Sequence, residues 1–277
     1  MEHSIGSGNP RPAAFLLVST DHGTMIVNRN DRCRTNDGGE FGVGSQLFRH
    51  SRYDHHKVAL LKTLLMMRRR HFGDDAVAVD CGANIGVITI ELAKAMSGWG
   101  RVIAFEPQEF IYYALAGNVV LNNCLNARVI RAALGDHNGT MKVPVLDYTA
   151  EASFGSLELR PAVREFIGQP VNYAEAALVD VQLTTLDGLE LPRLDLLKID
   201  IEGMEIEALG GATNTIDGLK PICYVELLKS NASVIDAFFV HRGYRGFRDG
   251  IDCLYVHRTD PCIEHLRVAD QPSSTVV

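Results

Sequence analysis

Between Val77 and Gly86 the sequence reads VAVDCGANIG, an apolar run that passes through an acidic residue into a glycine turn. A helical pattern follows from Ile85 to Met96. A strand, a glycine turn and a helix in this order are typical of an open α/β sheet, which binds ligands at the carboxyl ends of its strands. Because glycine lacks a Cβ and tolerates positive φ, backbone in this turn can approach a ligand closely.

The glycine spacing distinguishes this turn from the dinucleotide-binding one. Gly82 and Gly86 flank Asn84, and no glycine follows at the helix-packing position of the G-x-G-x-x-G pattern. Asp80 closes the strand where it would repel a pyrophosphate. The pattern therefore favours a cationic or zwitterionic ligand. A dinucleotide-dependent oxidoreductase stays as an alternative, because it also combines a glycine turn with a ribose-binding carboxylate.

Short apolar runs alternate with helical segments after Gly73, which is typical of βαβ units and a parallel sheet. The predicted strands are Ala76–Asp80, Arg101–Glu106, Ala127–Leu134, Leu194–Asp200 and Pro221–Leu227, and the predicted helices are Ile85–Met96, Glu109–Asn122, Met204–Leu209 and Ser230–Arg242. Gly243–Arg248 and Ile251–His257 flank Asp249-Gly250, a dipeptide that favours a hairpin turn. We therefore predict a doubly wound, mostly parallel, Rossmann-like sheet of seven strands with a terminal antiparallel hairpin.

The other segments set the predicted domain organisation. Residues 1–50 are rich in Gly, Asn, Asp and Arg, so we predict a mobile leader with short strands and little core. The α/β domain is placed at 51–260 and a tail at 261–277. An insertion at about 136–191 holds strand-like Thr140–Leu146 and Asp180–Thr185. Its polar middle, 147–180, is predicted to be a mobile lid over the acceptor pocket.

A helix is predicted from Asp54 to His71, because apolar residues recur there at helical spacing. The triplet Arg68-Arg69-Arg70 fits an anion-binding patch or a solvated helix end that interacts favourably with the helix dipole. His55 and His56 fit a surface pair or residues that reach over the pocket.

Composition and charge exclude some classes of function. The net charge of −7 argues against a general nucleic-acid binder, and no run approaches the length of about 20 apolar residues that spans a bilayer. The start of the chain lacks the pattern of a signal peptide. Six scattered cysteines without a C-x-x-C pair indicate reduced, mostly buried thiols. We therefore expect a cytoplasmic protein that binds neither membrane nor nucleic acid.

The strand after the glycine turn ends in Glu106-Pro107. A carboxylate at this position can accept hydrogen bonds from both hydroxyls of a ribose. Pro107 stiffens the loop that would define the adenine face. The glycine turn and Glu106 together indicate a nucleoside-containing ligand more strongly than either does by itself.

Several motifs together resemble the FkbM-type methyltransferases over roughly residues 75–260. They are Asp80–Gly86, Glu106-Pro107, the Asn118–Asn122 helix end, Ala132–Gly135 and Leu197–Glu205, the last of which is the most distinctive. The resemblance implies a class I methyltransferase fold, S-adenosylmethionine as cofactor, and methylation of hydroxyls on polyketides and sugars. Gln108-Glu109-Phe110 stands where a second proline is common in the family, and residues 1–50 lie outside the resemblance.

Carboxylates near the fourth and fifth strands are the candidate catalytic residues. Transfer of a methyl group to a hydroxyl requires in-line positioning and removal of the hydroxyl proton. Asp200 is predicted to contact the ammonium group of the cofactor or the acceptor, and Glu202 to be the base. Glu205 fits a third site carboxylate, and both Glu202 and Glu205 alternatively fit first-turn helix residues that interact favourably with the helix dipole. Lys198 is predicted to pair with a carboxylate or to point to the site. Glu226 ends the fifth strand and is predicted to line the acceptor pocket.

The sequence therefore predicts an S-adenosylmethionine-dependent O-methyltransferase that acts on a small molecule or glycan. The predicted cofactor-binding residues are Asp80, Gly82, Ala83, Asn84, Ile85, Gly86, Glu106, Pro107, Ala133 and Asp200, and the predicted catalytic residues are Asp200, Glu202 and Glu226. No metal site is predicted, and a homodimer is considered. A nucleic-acid methyltransferase is a second alternative, but the fourth strand runs into Asp-Ile-Glu-Gly and lacks the Pro-Pro-aromatic turn typical of base amino-group methylation.

Overall fold

The structure, a computed structural model, describes residues 11–35, 38–161 and 166–266. Its strands are β1 (Phe15–Thr20), β2 (Gly23–Asn28), β3 (Cys33–Arg34), β4 (Glu40–Phe41), β5 (Ala76–Cys81), β6 (Gly100–Phe105), β7 (Ala127–Ile130), β8 (Ala133–Leu134), β9 (Gly139–Pro144), β10 (Leu178–Thr184), β11 (Leu196–Ile199), β12 (Ile222–Glu226), β13 (Tyr244–Asp249) and β14 (Asp252–His257). The α-helices are α1 (Val43–His50), α2 (His55–Phe72), α3 (Val87–Ala95), α4 (Glu109–Leu121), α5 (Glu205–Gly210), α6 (Thr213–Leu219) and α7 (Ala232–His241).

The central sheet has seven strands in the order β13-β14-β12-β11-β5-β6-β7. β14 runs antiparallel to both of its neighbours, and the other adjacent pairs are parallel. The chain winds outward from β5 in one direction and from β11 in the other, so the crevice for a ligand is expected beyond the carboxyl ends of these two strands. The predicted fold class is confirmed.

Both faces of this sheet are covered by helices, which explains why β5 is apolar almost throughout. Ala76 and Ala78 pack with α2, α3 and α4 on one face. Val77 and Val79 pack with α5, α6 and α7 on the other. Side chains alternate between the faces of a strand, so Asp80 lies on the same face as Ala78 and next to Lys198 of β11.

The predicted strand Ala127–Leu134 is divided in the structure. β7 ends at Ile130, and the backbone N–H of Ala132 then donates to the carbonyl of Ile130 in a tight bend. After this bend β8 leaves the central sheet and pairs with β10 in a three-stranded sheet of order β8-β10-β9. The insertion strands predicted at Thr140–Leu146 and Asp180–Thr185 are confirmed as the antiparallel pair β9 and β10.

The expectation of little core in residues 1–50 is wrong for the residues that the structure describes. β1 and β2 form a hairpin, and Met25 and Val27 of β2 are completely buried. The Asn118 side chain of α4 accepts from the N–H of Ile26 and donates to its carbonyl, as a neighbouring strand would. Side chains alternate between the two faces of a strand, so Met25 and Val27 lie on the same face of β2 and form the buried side of this hairpin.

Within the arginine triplet, Arg69 and Arg70 lie in the last turn of α2 as the helix-end interpretation expected, whereas Arg68 fits neither interpretation because it is buried. Its Nε lies 3.2 Å from Oδ1 of Asp195, and its Nη1 pairs with Asp260. These ion pairs join α2 to the start of β11 and to the turn after β14. His55 and His56 form an exposed pair and do not line the cavity described below.

All six cysteines are free and buried, as the sequence indicated. Among the described residues, none of the helices combines the length and apolar character required to cross a membrane.

Candidate active site

A cavity of about 450 Å³ opens at the carboxyl ends of β5, β6, β11 and β12. This volume is in the range of small-molecule sites. Most of the residues singled out from the sequence line this cavity, namely Gly82, Ala83, Asn84, Ile85, Glu106, Pro107, Ala133, Asp200, Glu202 and Glu226. The structure therefore brings the glycine turn and the acidic residues to one place, while their individual roles remain predictions.

Asp80 and Gly86 do not line the cavity, in contrast to the prediction. Asp80 is completely buried beneath it, where Oδ2 accepts from the Thr89 hydroxyl and Oδ1 lies 3.2 Å from Nζ of Lys198. Gly86 is the N-cap residue before α3, with φ 92°, and a Cβ there would lie 2.5 Å from Leu115. Asp80 thus supports Lys198, and Gly86 allows α3 and α4 to approach each other.

Gly82 lines the cavity, but its main constraint comes from the neighbouring strand end. Its φ is +75°, and a Cβ would lie 1.8 Å from the carbonyl oxygen of Asp200. The N–H groups of Gly82 and Ala83 both donate to the carbonyl of Phe105. Glycine is therefore required here because the ends of β5, β6 and β11 converge, and not only because a ligand approaches.

Glu106 follows β6, and its side chain lines the cavity. Two backbone N–H groups of the protein fix the position of its carboxylate. Oε2 accepts from the N–H of Asn84 at 3.0 Å, and Oε1 accepts from the N–H of Gln108 at 2.9 Å. Burial raises the pKa of Glu106 to about 7, although both backbone hydrogen bonds act in the opposite direction. Each carboxylate oxygen has a second lone pair, so both can still accept from ligand hydroxyls.

Asp200 lies directly after β11 between two lysines. Its Oδ2 is 3.4 Å from Nζ of Lys198 and 4.0 Å from Nζ of Lys57. Burial opposes ionisation of Asp200, but the two lysines outweigh it and hold the pKa below its usual value. Lys198 also donates to the carbonyl of Gly82 at 2.8 Å, so this buried ammonium is fully occupied by the protein. Asp200 is therefore an ionised carboxylate at the cavity wall.

Glu202 and Glu226 complete an acidic group with Asp200, in which one oxygen of each side chain lies within 4.8 Å of the others. Burial, followed by repulsion from Asp200, raises the pKa of Glu202 to about 8. The same two causes raise the pKa of Glu226 to about 9. Nζ of Lys229 lies 2.7 Å from Oε2 of Glu202. Glu205 is not part of this group: its carboxylate accepts from backbone N–H groups of Ile201 and Gly203.

Several cavity residues were missed by the sequence interpretation. They include Phe41, Gln46, Tyr53, Lys57, Gln108, Lys229 and Asp252. The sequence contained a signal that could have identified Lys57 as a buried residue. It lies on the same face of α2 as Leu61, Leu64 and Arg68, and a charged residue on a buried face needs a partner of opposite charge. Nζ of Lys57 lies 3.0 Å from Oδ2 of Asp252. Phe41 and Gln46 gave no such signal, because they lie in the segment that was expected to lack a core.

The insertion contributes one wall of the cavity through Ser153–Leu157. Phe154 is completely buried, and its carbonyl accepts from Nε2 of Gln108 at 2.8 Å. Backbone hydrogen bonds from Arg32 to Ala152 and from Ala152 to Asn30 tie this wall to the N-terminal segment. The insertion thus lies beside the cavity. That residues 147–180 form a mobile lid over the acceptor pocket stays a prediction, and residues 162–165 of this segment lie outside the described part of the chain.

Comparison with known proteins identifies the family. The model of the methyltransferase FkbM domain matches residues 80–245. The chain belongs to the FkbM methyltransferase domain family. This match begins at Asp80 near the end of β5 and ends in β13, so it contains the whole of β6, β7, β11 and β12 but not β14. Because this match includes the glycine turn, it favours the methyltransferase family over the alternative of a dinucleotide-dependent oxidoreductase.

The chain is similar to two curated proteins that are named as methyltransferases. The chain is 30% identical to methyltransferase sdnD of Sordaria araneosa over 153 residues, which are 48% of this chain and 59% of that protein. It is 25% identical to methyltransferase 1 of Beauveria bassiana (strain ARSEF 2860) over 177 residues, 60% of this chain and 70% of that protein. The solved structure of methyltransferase FkbM from Methylobacillus flagellatus KT aligns with a TM-score of 0.46 and 20% identity, over 66% of this chain and 44% of that one.

Proposed function

We propose that the protein transfers a methyl group from S-adenosylmethionine to a hydroxyl of a small molecule, such as a sugar, a glycan or a polyketide-like compound. The observation that carries this proposal is that one cavity is lined both by Glu106 with the glycine turn and by the acidic group Asp200, Glu202 and Glu226. The first set suits a nucleoside, and the second suits a group that must lose a proton.

The cavity lining fits the cofactor at its two polar ends. Glu106 offers two carboxylate oxygens, each with a free lone pair, to the hydroxyls of the ribose. Asp200, which is ionised between two lysines, offers a negative charge to the ammonium group. Ile85, Pro107 and Ala133 provide apolar contact for the adenine ring. When bound, S-adenosylmethionine supplies a methyl group that is activated by its attachment to a positively charged sulfur.

Glu202 and Glu226 are the candidate bases. A general base is most effective when its pKa lies near the working pH. Burial and repulsion from Asp200 raise the pKa of Glu202 to about 8 and that of Glu226 to about 9. One of these carboxylates would take the proton of the acceptor hydroxyl as the oxygen–methyl bond forms and the methyl–sulfur bond breaks, which releases S-adenosylhomocysteine. Lys229, paired with Glu202, holds that side chain in place.

A nucleic-acid acceptor is the second candidate that the sequence left open. The net charge of −7 and the acidic lining of the cavity disfavour a polyanion. The fungal relatives bear only the name methyltransferase, so they favour no acceptor class by themselves.

The test is to supply labelled methyl donor with a panel of hydroxylated small molecules, their amine analogues and nucleic acid. We expect label on a hydroxylated compound, and we expect Asp200→Asn to abolish most turnover while leaving the fold intact. Lys198 keeps Asp80 and Lys57 keeps Asp252 in that variant, so neither lysine loses its last partner. Asp180→Asn, an exposed residue that pairs with Lys142, is the matched control. Label that enters amines or nucleic acid instead would overturn the hydroxyl assignment.

A further inference from the structure

Glu226 is the one carboxylate of the acidic group that has no ion-pair partner within the described part of the chain. Only 8% of the residue is exposed, and its buried Oε2 accepts no hydrogen bond. Its side chain lines the cavity beside Asp200 and Glu202. An unpaired buried carboxylate is costly, so its presence requires either a bound proton or a bound cation.

The neighbouring lysines do not supply that cation. Lys57 shares its charge among Asp54, Asp200 and Asp252, and Lys198 is shared between Asp80 and Asp200. Lys229 lies against Glu202. These three lysines therefore face more carboxylates than they can neutralise before Glu226 is counted.

Asp252 adds a second observation from the adjacent strand. It lies opposite Glu226 in the β12–β14 pairing, and its buried Oδ1 also lacks a hydrogen-bond partner. Its Oδ2 is occupied by Lys57 and by the hydroxyl of Tyr224. Two unsatisfied carboxylate oxygens thus lie at the same wall of one cavity.

The geometry points to a divalent cation: we propose that Asp200, Glu202 and Glu226 bind Mg²⁺ or Mn²⁺, which is a site that the sequence did not predict. The donor set consists of carboxylate oxygens, the ligands that these hard cations prefer. Opposite ligands of an octahedral Mg²⁺ lie about 4.2 Å apart, so oxygens within 4.8 Å of one another need only small side-chain movements to reach it.

The role of the ion rests on the proposed function. Three protein ligands leave positions on an octahedral ion for water or for the acceptor oxygen. A hydroxyl bound there is a stronger acid, because the ion stabilises the alkoxide. The proton then leaves to water or to a carboxylate oxygen that does not bind the ion. Through the bound ion, the acidic group would both activate the acceptor hydroxyl and orient it.

The experiment measures metal binding directly, without turnover. Protein freed of metal with a chelator and then exchanged into chelator-free buffer at pH 8 is titrated with Mn²⁺, and free Mn²⁺ is followed by electron paramagnetic resonance. We expect about one Mn²⁺ per chain, displaced by excess Mg²⁺. Glu226→Gln should weaken binding at least about tenfold, because one charged ligand becomes neutral. Glu175→Gln, which changes an exposed residue far from β12 in sequence, should bind as the wild type does.

Two outcomes would overturn the site. One is the absence of saturable Mn²⁺ binding to the wild type, and the other is unchanged affinity in both Glu226→Gln and Glu202→Gln. The second variant, checked for folding by circular dichroism, keeps the test decisive if Glu226→Gln fails to fold. Binding of S-adenosylhomocysteine is measured on the same samples. If the protein binds S-adenosylhomocysteine but not Mn²⁺, only the metal site is rejected. If it binds Mn²⁺ but not S-adenosylhomocysteine, the proposed cofactor is rejected and the metal site is retained.

Discussion

Burial and hydrogen bonding shift the pKa of the Glu106 carboxyl group in opposite directions. Burial raises its pKa to about 7, and the N–H groups of Asn84 and Gln108 favour the ionised form. An acceptor of ribose hydroxyls works best when it is ionised, since a protonated carboxyl loses accepting capacity. Cofactor affinity should therefore depend on pH near neutrality.

We predict that Glu106→Ala lowers the affinity for S-adenosylhomocysteine by about 10- to 150-fold, the equivalent of about 1.5 to 3 kcal/mol for hydrogen bonds to a charged group. Isothermal titration calorimetry at pH 8 measures this change. In the wild type the affinity should fall as pH drops below about 7, where Glu106 becomes protonated. Glu109→Ala, three residues along and more exposed, is the control. Equal affinity in both variants would remove Glu106 from the cofactor site.

Single elements differ in how far the sequence predicts them. The unit β5–turn–α3 could be predicted closely, because its apolar run and its glycines report the local backbone directly. The division of β7 from β8 could not, because it depends on β10, which follows more than forty residues later. Lys57 reaches the site because α2 packs on the central sheet. This packing is a tertiary contact, so the local sequence does not predict it.

The N-terminal segment is attached to the cavity wall through Asp31. Its Oδ2 accepts from the N–H of Gly44 at 2.8 Å, and its Oδ1 accepts from the N–H of Phe154 at 3.1 Å. One buried side chain thus holds the start of α1 and the insertion turn together. Burial raises its pKa to about 6, so this junction is ionised at neutral pH.

We predict that Asp31→Ala lowers the free energy of unfolding by about 2 kcal/mol, because two buried N–H groups lose their acceptors. Urea denaturation measures this loss. Glu151→Ala removes the exposed ion pair with Arg32 in the same region and should cost no more than about 1 kcal/mol. If the two variants were equally stable, the junction at Asp31 would not hold these elements together.

The stability of the whole molecule should depend on pH through the acidic group. In the folded state Glu202 and Glu226 have pKa values of about 8 and about 9, whereas an unfolded chain titrates these groups near 4.5. Between these values the folded state holds more protons, so stability falls as pH rises. Glu106 contributes with the same sign up to about pH 7.

We therefore predict that, in chelator, the melting temperature decreases from about pH 5 to about pH 9. Glu226→Gln should flatten this decrease between pH 7 and 9, since the amide cannot ionise. Differential scanning calorimetry across a buffer series compares it with the wild type and with Glu175→Gln. A slope that is identical in all three proteins would show that Glu226 ionises normally in the fold.

The position of β14 has a consequence for biosynthesis. This strand is the last of the central sheet in the chain, yet it lies between β12 and β13. While the protein is being made, β12 therefore keeps an unpaired edge until residues 252–257 have been synthesised, and such edges invite association with other chains. Asp252 also brings its carboxylate to the cavity on this strand. The nascent chain consequently carries an exposed β12 edge while residues 227–257 are synthesised, and its site stays incomplete until Asp252 has been added.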